Sequence, residues 1–481
     1  MAFHPQYLIS PSAGMNNNES SSSCSSEASF VTHVDIQDYL TSYVAAKKLM
    51  RCIRLNHRVV RISKRRGASK GSSFCDQTSS THDNSLQQAA VESPPHAVDG
   101  GTASEATADD SSDSHWEVVY TTADPSIPIA EHFDAVVVCN GHYSHPFQPN
   151  VPGMQEHYHK ETYHSRDYDR IKHTLLDKRV LVVGSKSSGT DMARELTQIA
   201  RHVFVSDRNY KHEMDDSSSA DSDGGTAAAA ATARVSNLEL LPGISHFEAP
   251  VGDDESVIVF TDGQQLRGVD AILWCTGFLY EFPFIDAQTD PTLHAPITVD
   301  GGKRVRPLHL QLLCIEDPSL AFIGLPFSVV PFPLFYSQAL FIAAVYSGQT
   351  TLPSRHEQYT LLDEREACLR ARGLFDDKYH YLGDEQFQYV RLLASSSRHQ
   401  RLPAVDRCAH GSSGPIQEEE KDGDGNSGSG GGEKKEEEEK WRRWERYIDL
   451  VEAIYGDNGL HKPRYVGAPD TYRDRRYHVN W

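Results

Sequence analysis

The stretch that most constrains the fold is residues 178–196, which combines a strand pattern, a glycine turn and a helix pattern. Residues 180–183 are a short run of apolar, mostly β-branched side chains, which is typical of a strand covered on both faces. Gly184 and Gly189 bracket the turn, and apolar residues then recur at helical spacing. Residues 202–206 predict a second strand. The pattern indicates a βαβ unit, in which the diphosphate of a dinucleotide binds at the helix N-terminus.

One position of this turn departs from the G-x-G-x-x-G pattern. Lys186 stands where the middle glycine normally lets the backbone approach the pyrophosphate. Its side chain would either obstruct the phosphate or offer it a cation. The alternative to a dinucleotide-binding turn is an α/β turn that binds no ligand, which the flanking strands disfavour. The residues that we expect to bind the dinucleotide at this turn are Gly184, Ser185, Lys186, Ser187, Ser188, Gly189, Thr190 and Asp191.

The end of the second strand decides between the two nicotinamide dinucleotides. An acidic residue there holds the ribose 2′-OH of NAD, whereas an arginine nearby holds the 2′-phosphate of NADP. Asp207 and Arg208 supply both groups side by side. We favour NADP bound through Arg208, with Asp207 turned to solvent. A solvated surface pair that binds no ligand is the alternative.

Two further strand patterns end in glycine, at Gly141 and Gly277. The carboxyl ends of strands are where α/β proteins bind ligands, so two such ends indicate strands that return to two nucleotide domains. The fold class is therefore α/β, with two nested Rossmann-like dinucleotide-binding domains. The cofactor-binding residues that we expect at these ends are Asn140, Gly141, Thr276 and Gly277.

Polar segments divide the chain. Their composition buries too little apolar surface to offset the entropy of ordering, so we expect residues 1–29, 64–114, 214–234 and 410–440 to be disordered. The insert at 64–114 interrupts a predicted hairpin. We expect a partial first nucleotide domain at residues 30–63 and 115–165, to which the chain returns at 276–409. The second nucleotide domain is expected at 166–275, and a C-terminal helix and tail at 441–481.

Charge and cysteine usage narrow the class of partner. A formal net charge of −20 argues against nucleic acid or an anionic membrane. Eight cysteines without a C-x-x-C pair fit a reducing compartment, and we expect the cytoplasm, including the surface of the endoplasmic reticulum. The most apolar stretch, residues 332–346, is too short to span a bilayer. The histidines match no metal-ligand spacing, so no metal site is expected.

Together these residues resemble the flavin-containing (N,N-dimethylaniline) monooxygenases. Residues 163–168, Tyr-His-Ser-Arg-Asp-Tyr, are similar to the end of the family's F-x-G-x-x-x-H-S-x-x-Y motif. Tyr158 and Lys160 depart from that motif, where the family has Phe and Gly. The other similar segments are residues 183–191 (the family's NADPH turn), residues 275–278, Cys-Thr-Gly-Phe (its A-T-G-Y motif), and residues 320–335 (the segment that follows).

The resemblance implies FAD and NADP as cofactors. It implies a monooxygenase that transfers oxygen to a soft nucleophile, an amine nitrogen or a sulfide sulfur, through a flavin C4a-hydroperoxide, with small molecules and molecular oxygen as partners. It implies no catalytic acid or base, and no catalytic residue is assigned.

Two family features have no counterpart before residue 30: the glycine turn for FAD and the active-site asparagine. We therefore expect this chain to hold FAD weakly, and the family's activity to need an upstream segment. A non-catalytic NADP-binding protein of the same fold stays open as an alternative. So does another two-dinucleotide oxidoreductase such as a disulfide reductase, which the missing C-x-x-C pair disfavours.

Overall fold

A computed structural model describes residues 27–28, 33–65, 115–208, 236–249, 256–285, 297–376, 378–398, 431–461 and 476–477. The chain divides into two compact units. The smaller comprises Asn56–Val136 and Pro283–Thr292, and the larger comprises Met1–Leu55, Val137–Phe282 and Leu293–Trp481. Of the segments expected to be disordered, residues 66–114, 214–234 and 410–430 lie outside the described residues.

The smaller unit contains a three-stranded antiparallel sheet of strands β1 (Arg58–Arg65), β2 (His115–Thr121) and β3 (Ile129–Phe133). β1 and β2 pair along their whole length, so the hairpin predicted across the insert is confirmed. Trp116 is fully buried, and the Lys64 ammonium lies 5.0 Å from its ring centroid. The insert therefore begins after β1 and not at residue 64, because the backbone of the last two β1 residues is paired with β2.

A five-stranded parallel sheet organises the larger unit. Its strands are β4 (Glu161–His164), β5 (Arg179–Val183), β6 (His202–Ser206), β7 (Leu238–Leu241) and β8 (Ala271–Trp274). They lie in the order β7–β6–β5–β8–β4, and every neighbouring pair is parallel. The crossover after β5 contains a helix, Ser187–Leu196, as the βαβ pattern predicted.

The central strand β5 is apolar throughout because it is covered on both faces. Successive side chains of a strand point to opposite faces. Leu181 packs in one apolar cluster with Phe204, whereas Val180 and Val182 pack in another with Leu196. Each of these three β5 side chains has no exposed surface. This explains why the sequence of β5 reads as a continuous apolar run and does not alternate.

The described residues form six helices of ten residues or more. Of these helices, none combines the length and the apolar character that crossing a bilayer requires. The helices are α1 (His33–Ala46), α2 (Ser187–Leu196), α3 (Pro331–Tyr346), α4 (Arg355–Ala371), α5 (Gln386–Ser396) and α6 (Gly431–His461).

Helix α6 is longer than the sequence predicted. It begins at Gly431, so residues 431–440 belong to the helix and not to a disordered insert. Two i,i+4 ion pairs support the segment that follows its first two turns, from Arg442 to Glu438 and from Arg443 to Glu439, each at 2.5 Å. Its apolar face packs with α3 and α5 in one core that includes Phe341, Leu393, Trp444, Ile448 and Val451.

Smaller sheets complete the larger unit. Glu27–Ala28, within the segment expected to be disordered, pairs through its backbone with Arg476–Tyr477. Three antiparallel strands follow β7: Ile244–Glu248, Val257–Phe260 and Gln265–Leu266. The remaining strands are Val136–Val138, Leu308–His309, Leu313–Cys314 and Leu320–Phe322 in one sheet, and the pairs His145–Pro146 with Phe278–Leu279 and Thr298–Val299 with Arg304–Val305. Short helical turns are Leu49–Cys52, Met154–His157, Ser165–Asp167, Tyr168–Ile171, Lys172–Leu175, Asp300–Gly302 and Gly383–Glu385.

Candidate dinucleotide-binding site

The turn after β5 requires glycine at its first position. Gly184 has a φ of +106°, and a Cβ there would lie 2.6 Å from the Cys275 carbonyl oxygen. Its amide donates to the Ser206 carbonyl at the end of β6, with an N···O distance of 2.9 Å. A side chain at position 184 would clash with the backbone of Cys275, the residue that follows β8, and would strain φ. The turn therefore requires glycine at this position.

The second glycine lets helix α2 lie directly on the turn. A Cβ on Gly189 would lie 1.7 Å from the Gly184 carbonyl oxygen and 3.4 Å from Cys275 Cβ. Gly189 itself is buried, and its backbone is ordinary helix. The constraint at this position is therefore close packing and not a special φ, which agrees with the role of the last glycine in dinucleotide-binding turns.

The start of α2 carries backbone amides that precede the hydrogen bonds of the helix. Thr190 provides the first amide bonded within the helix, to the Lys186 carbonyl at 2.9 Å, so the amides of the three residues before it precede the helical ladder. The N-cap residue makes no side-chain hydrogen bond to these amides. The Thr190 hydroxyl donates to the Ser185 carbonyl at 2.8 Å and fixes the turn. A helix start without a side-chain cap suits a diphosphate.

Lys186 fits the position of the missing glycine without distortion. Its φ of −74° and ψ of −175° are extended backbone that any residue adopts. Its side chain is exposed, as are those of Ser187 and Ser188. The departure from the glycine pattern therefore leaves the shape of the turn intact.

At the end of β6, the expected position of the Asp207 side chain is wrong. Asp207 is not turned to solvent: it is half-buried, and its Oδ2 accepts a hydrogen bond of 2.5 Å from Ser185 Oγ. The partner is a hydroxyl in the turn itself, which spacing along the chain could not reveal. Arg208 is exposed, and its stem passes Gly243, where a Cβ would lie 3.3 Å from Arg208 Cγ. The two neighbouring side chains thus contact different loops.

Thr276 and Gly277 lie beside the turn because they follow Cys275, whose amide donates to the Val183 carbonyl at 2.8 Å. The Gly277 carbonyl accepts from the Phe147 amide at 2.9 Å. The Thr276 hydroxyl donates to the Phe147 carbonyl. These hydrogen bonds connect the segment that follows Gly141 to the segment that contains Gly277.

His164, which belongs to the motif at residues 163–168, makes a further contact with Gly277. Its Nδ1 accepts from the Arg166 amide at 3.1 Å, so the proton is on Nε2, which donates to the Gly277 carbonyl at 3.0 Å. Burial lowers the pKa of His164, which favours this neutral form. Arg166 donates from its guanidinium to the Ser144 carbonyl at 2.7 Å. The histidine is therefore a positioning residue that links β4 to the glycine ends.

The remaining expected residues lie at the edges of this region. Asn140 makes a long contact of 3.5 Å from Nδ2 to the Glu281 carbonyl. Gly141 and Gly277 have positive φ and open space where a Cβ would stand. Asp191 lies on α2, with an oxygen 4.0 Å from the Arg194 guanidinium. The structure thus gathers residues 184–190 with residues 275–277.

Cys275 is the residue of this site that the sequence did not single out as a contact of the turn. Its carbonyl oxygen is what requires glycine at position 184, and its Cβ would lie 3.4 Å from a Cβ at position 189. Burial raises the pKa of its thiol to about 12, so it stays protonated at neutral pH and is a poor nucleophile. Within the described part of the chain, no three His, Cys, Asp or Glu side chains come together as metal ligands.

The model of the flavin-binding monooxygenase-like family matches residues 102–223 and 240–397, more than half of the chain. The chain belongs to this family. FAD and NADP(H) are the cofactors that membership of the flavin-binding monooxygenase-like family implies. The predicted family, the flavin-containing monooxygenases, is confirmed.

Curated relatives carry the same family name. The chain is 32% identical over 292 residues to Flavin-containing monooxygenase FMO GS-OX-like 2 of Arabidopsis thaliana, which covers 60% of this chain and 56% of that protein. It is 28% identical over 293 residues to Flavin-containing monooxygenase ustF2 of Aspergillus flavus, with coverage of 57% and 56%. The chain thus spans about half the length of the relatives that it matches.

Solved structures agree on the fold. S-allyl-L-cysteine S-oxygenase from Allium sativum superposes with a TM-score of 0.60 at 24% identity, over 95% of this chain and 76% of that one. Tmm from a Pelagibacter species gives a TM-score of 0.54 at 17% identity, over 94% and 73%. The predicted α/β class, with Rossmann-like dinucleotide-binding architecture, is confirmed.

Proposed function

We propose that this chain binds NADP(H) at the turn between β5 and α2, and that it works in a monooxygenase that oxygenates a soft nucleophile. The observation that carries the proposal is the turn. Gly184 and Gly189 leave no room for a side chain. The helix start that they support has no side-chain cap. A diphosphate fits a concave backbone site of this kind, because several amides and the positive end of the helix dipole point to one place.

The strand end supports NADP over NAD. The carboxylate of Asp207 is engaged by Ser185, whereas Arg208 is exposed next to it. A guanidinium at this position suits the doubly charged 2′-phosphate, because it offers several donors in a planar fork. Ser187 and Ser188, exposed at the start of α2, supply further hydroxyls to the phosphates.

The flavin fits the described residues less well than NADP does. Gly141 and Gly277 are followed by the strands His145–Pro146 and Phe278–Leu279 and not by a helix. They offer backbone edges, without the helix N-terminus that a second dinucleotide diphosphate needs. The described residues therefore hold NADP(H), and His164 fixes the junction between the glycine ends.

The overall reaction that we propose is the oxidation of a sulfide by O₂ and NADPH, with one proton, to a sulfoxide, NADP⁺ and water. When bound, NADPH supplies the hydride and the family's flavin activates the oxygen. A relative of the same fold acts as an S-allyl-L-cysteine S-oxygenase, which makes a sulfide the first substrate class to test and a tertiary amine the second. We keep the cytoplasm or the surface of the endoplasmic reticulum as the proposed location.

An assay with added FAD tests this activity. To the extent that FAD is bound, we expect NADPH oxidation to depend on an alkyl allyl sulfide, with one sulfoxide formed for each NADPH consumed. NADPH oxidation that forms peroxide without sulfoxide would contradict the sulfide proposal. Saturable NADP⁺ binding, without flavin binding or turnover on sulfide or amine, would favour an NADP-binding protein of the same fold.

Substitution of Arg208 tests the choice of cofactor. Arg208→Ala should weaken NADP⁺ binding by about 1.5–3 kcal/mol, the range for a hydrogen bond to a charged group. NAD⁺ binding should change little, because NAD⁺ lacks the phosphate. Isothermal titration with both dinucleotides measures the two effects.

The matched control for this substitution is Arg201→Ala. Arg201 immediately precedes the same strand at its other end and pairs there with Asp177 at 3.0 Å. The control should leave both affinities unchanged. Equal weakening of NADP⁺ and NAD⁺ by Arg208→Ala would mean that Arg208 has a structural role only.

A further inference from the structure

Ser185 connects the glycine turn to the end of β6. Its hydroxyl donates to Asp207 Oδ2 across 2.5 Å, and both residues are half-buried. The backbone fixes the geometry of this contact from both sides. The Gly184 amide donates to the Ser206 carbonyl, and the Asp207 amide donates to the Leu241 carbonyl, each at 2.9 Å. The hydrogen bond thus joins two segments that are already held in register.

The position of Asp207 gives this bond a chemical consequence. A carboxylate at the end of the second strand is the group that accepts from a ribose 2′-OH and that repels a 2′-phosphate. The Ser185 hydroxyl occupies one of its two oxygens and draws the carboxylate to the turn. Arg208 instead has its stem against Gly243 and its side chain exposed. Of the two charged residues at this strand end, Arg208 is therefore the exposed one and Asp207 the half-buried one.

We infer that Ser185 is a specificity-determining residue: it retains the Asp207 carboxylate in the turn, and so selects dinucleotides that carry a 2′-phosphate. This rests on the proposed binding of NADP(H) at the same turn. Ser185 acts through Asp207 and needs no contact with the 2′-phosphate. Without the hydroxyl, Ser185 no longer draws the carboxylate to the turn, so we expect Asp207 to accept more readily from a ribose 2′-OH, which strengthens NAD⁺ binding, and to repel the phosphate of NADP⁺.

The test measures the dissociation constants of NADP⁺ and NAD⁺ for the full chain by isothermal titration. Ser185→Ala should lower the preference for NADP⁺ over NAD⁺ by about tenfold, because a hydrogen bond to a charged group is removed. Ser185→Thr keeps the hydroxyl and should keep the preference. Asp207→Asn removes the charge, and Ser185→Ala added to it should leave the preference of Asp207→Asn unchanged, since coupled residues are not additive.

The outcomes separate this inference from the proposed function. If the unsubstituted chain prefers NADP⁺ and Ser185→Ala weakens both dinucleotides equally, the inference is overturned while the proposed function stands. The same holds if Ser185→Ala has its full effect in the Asp207→Asn background, since the effect would then not pass through the carboxylate. If the unsubstituted chain binds neither dinucleotide, the proposed function and the inference both fail. Melting temperatures of the variants verify that each is folded.

Discussion

Replacing Gly189 with valine is expected to abolish dinucleotide binding. Even the first carbon of the new side chain would lie 1.7 Å from the Gly184 carbonyl oxygen and 2.8 Å from its carbonyl carbon. Neither atom belongs to a flexible side chain, and Gly184 is itself held against the Cys275 carbonyl. Helix α2 must therefore separate from β5. The amides at the helix start then leave the diphosphate, and affinity should fall by a hundredfold or more, on the order of two charge-assisted hydrogen bonds.

The measurement is a titration of folded Gly189→Val protein with NADP⁺. Gly456→Val is the matched control, because Gly456 is exposed on helix α6 with nothing within 4 Å of its added Cβ. Circular dichroism of both variants distinguishes lost binding from lost folding. Affinity of Gly189→Val within threefold of the unsubstituted chain would contradict the packing argument.

Glu366→Ala should cause the largest loss of stability among single charge deletions in α4. The Glu366 side chain is only 4% exposed, and its two oxygens lie 3.1 Å from Arg306 Nε and 3.0 Å from Arg370 NH2. The Tyr379 hydroxyl donates to it at 2.8 Å. Removing the carboxylate leaves the Arg370 guanidinium and the Tyr379 hydroxyl without their hydrogen-bond acceptor, and Arg306 without its ion-pair partner. We expect a loss of about 3 kcal/mol in the free energy of unfolding, at the low end for a broken buried pair, because both arginines partly reach water.

Urea denaturation of the full chain measures this change in the free energy of unfolding. Glu364→Ala provides the control, since Glu364 lies on the same helix with an exposed side chain. Its free energy of unfolding should change by no more than about 0.5 kcal/mol. Similar small losses in both variants would show that the arginine and tyrosine groups find other partners or water when the carboxylate is removed.

Apolar runs and glycine spacing predicted most of the nucleotide unit. The strand over residues 202–206 has the predicted bounds, and β5 begins one residue earlier than residue 180. These elements follow from local chemistry: a β-branched run needs two covered faces, and a turn into a helix needs glycine. The family resemblance then identified the chemistry that the local pattern alone left open.

What the sequence did not reveal depends on contacts between distant residues. Asp207 was expected in solvent, yet its partner Ser185 is 22 residues away along the chain. The role of Cys275 in shaping the turn depends on β8 lying beside β5, which no local pattern encodes. The start of α6 was missed for a different reason. The glycine-rich composition of residues 410–440 indicated disorder. The i,i+4 charge pairs between residues 438 and 443 instead support a helix.

A crystal structure of the chain with NADP⁺ tests whether the turn between β5 and α2 binds the cofactor. We expect the diphosphate within hydrogen-bonding distance of the amides of Ser187, Ser188 and Gly189, and the 2′-phosphate on the Arg208 guanidinium, with Asp207 still bonded to Ser185. A diphosphate bound elsewhere on the chain, or a 2′-phosphate that does not reach Arg208, would contradict this expectation.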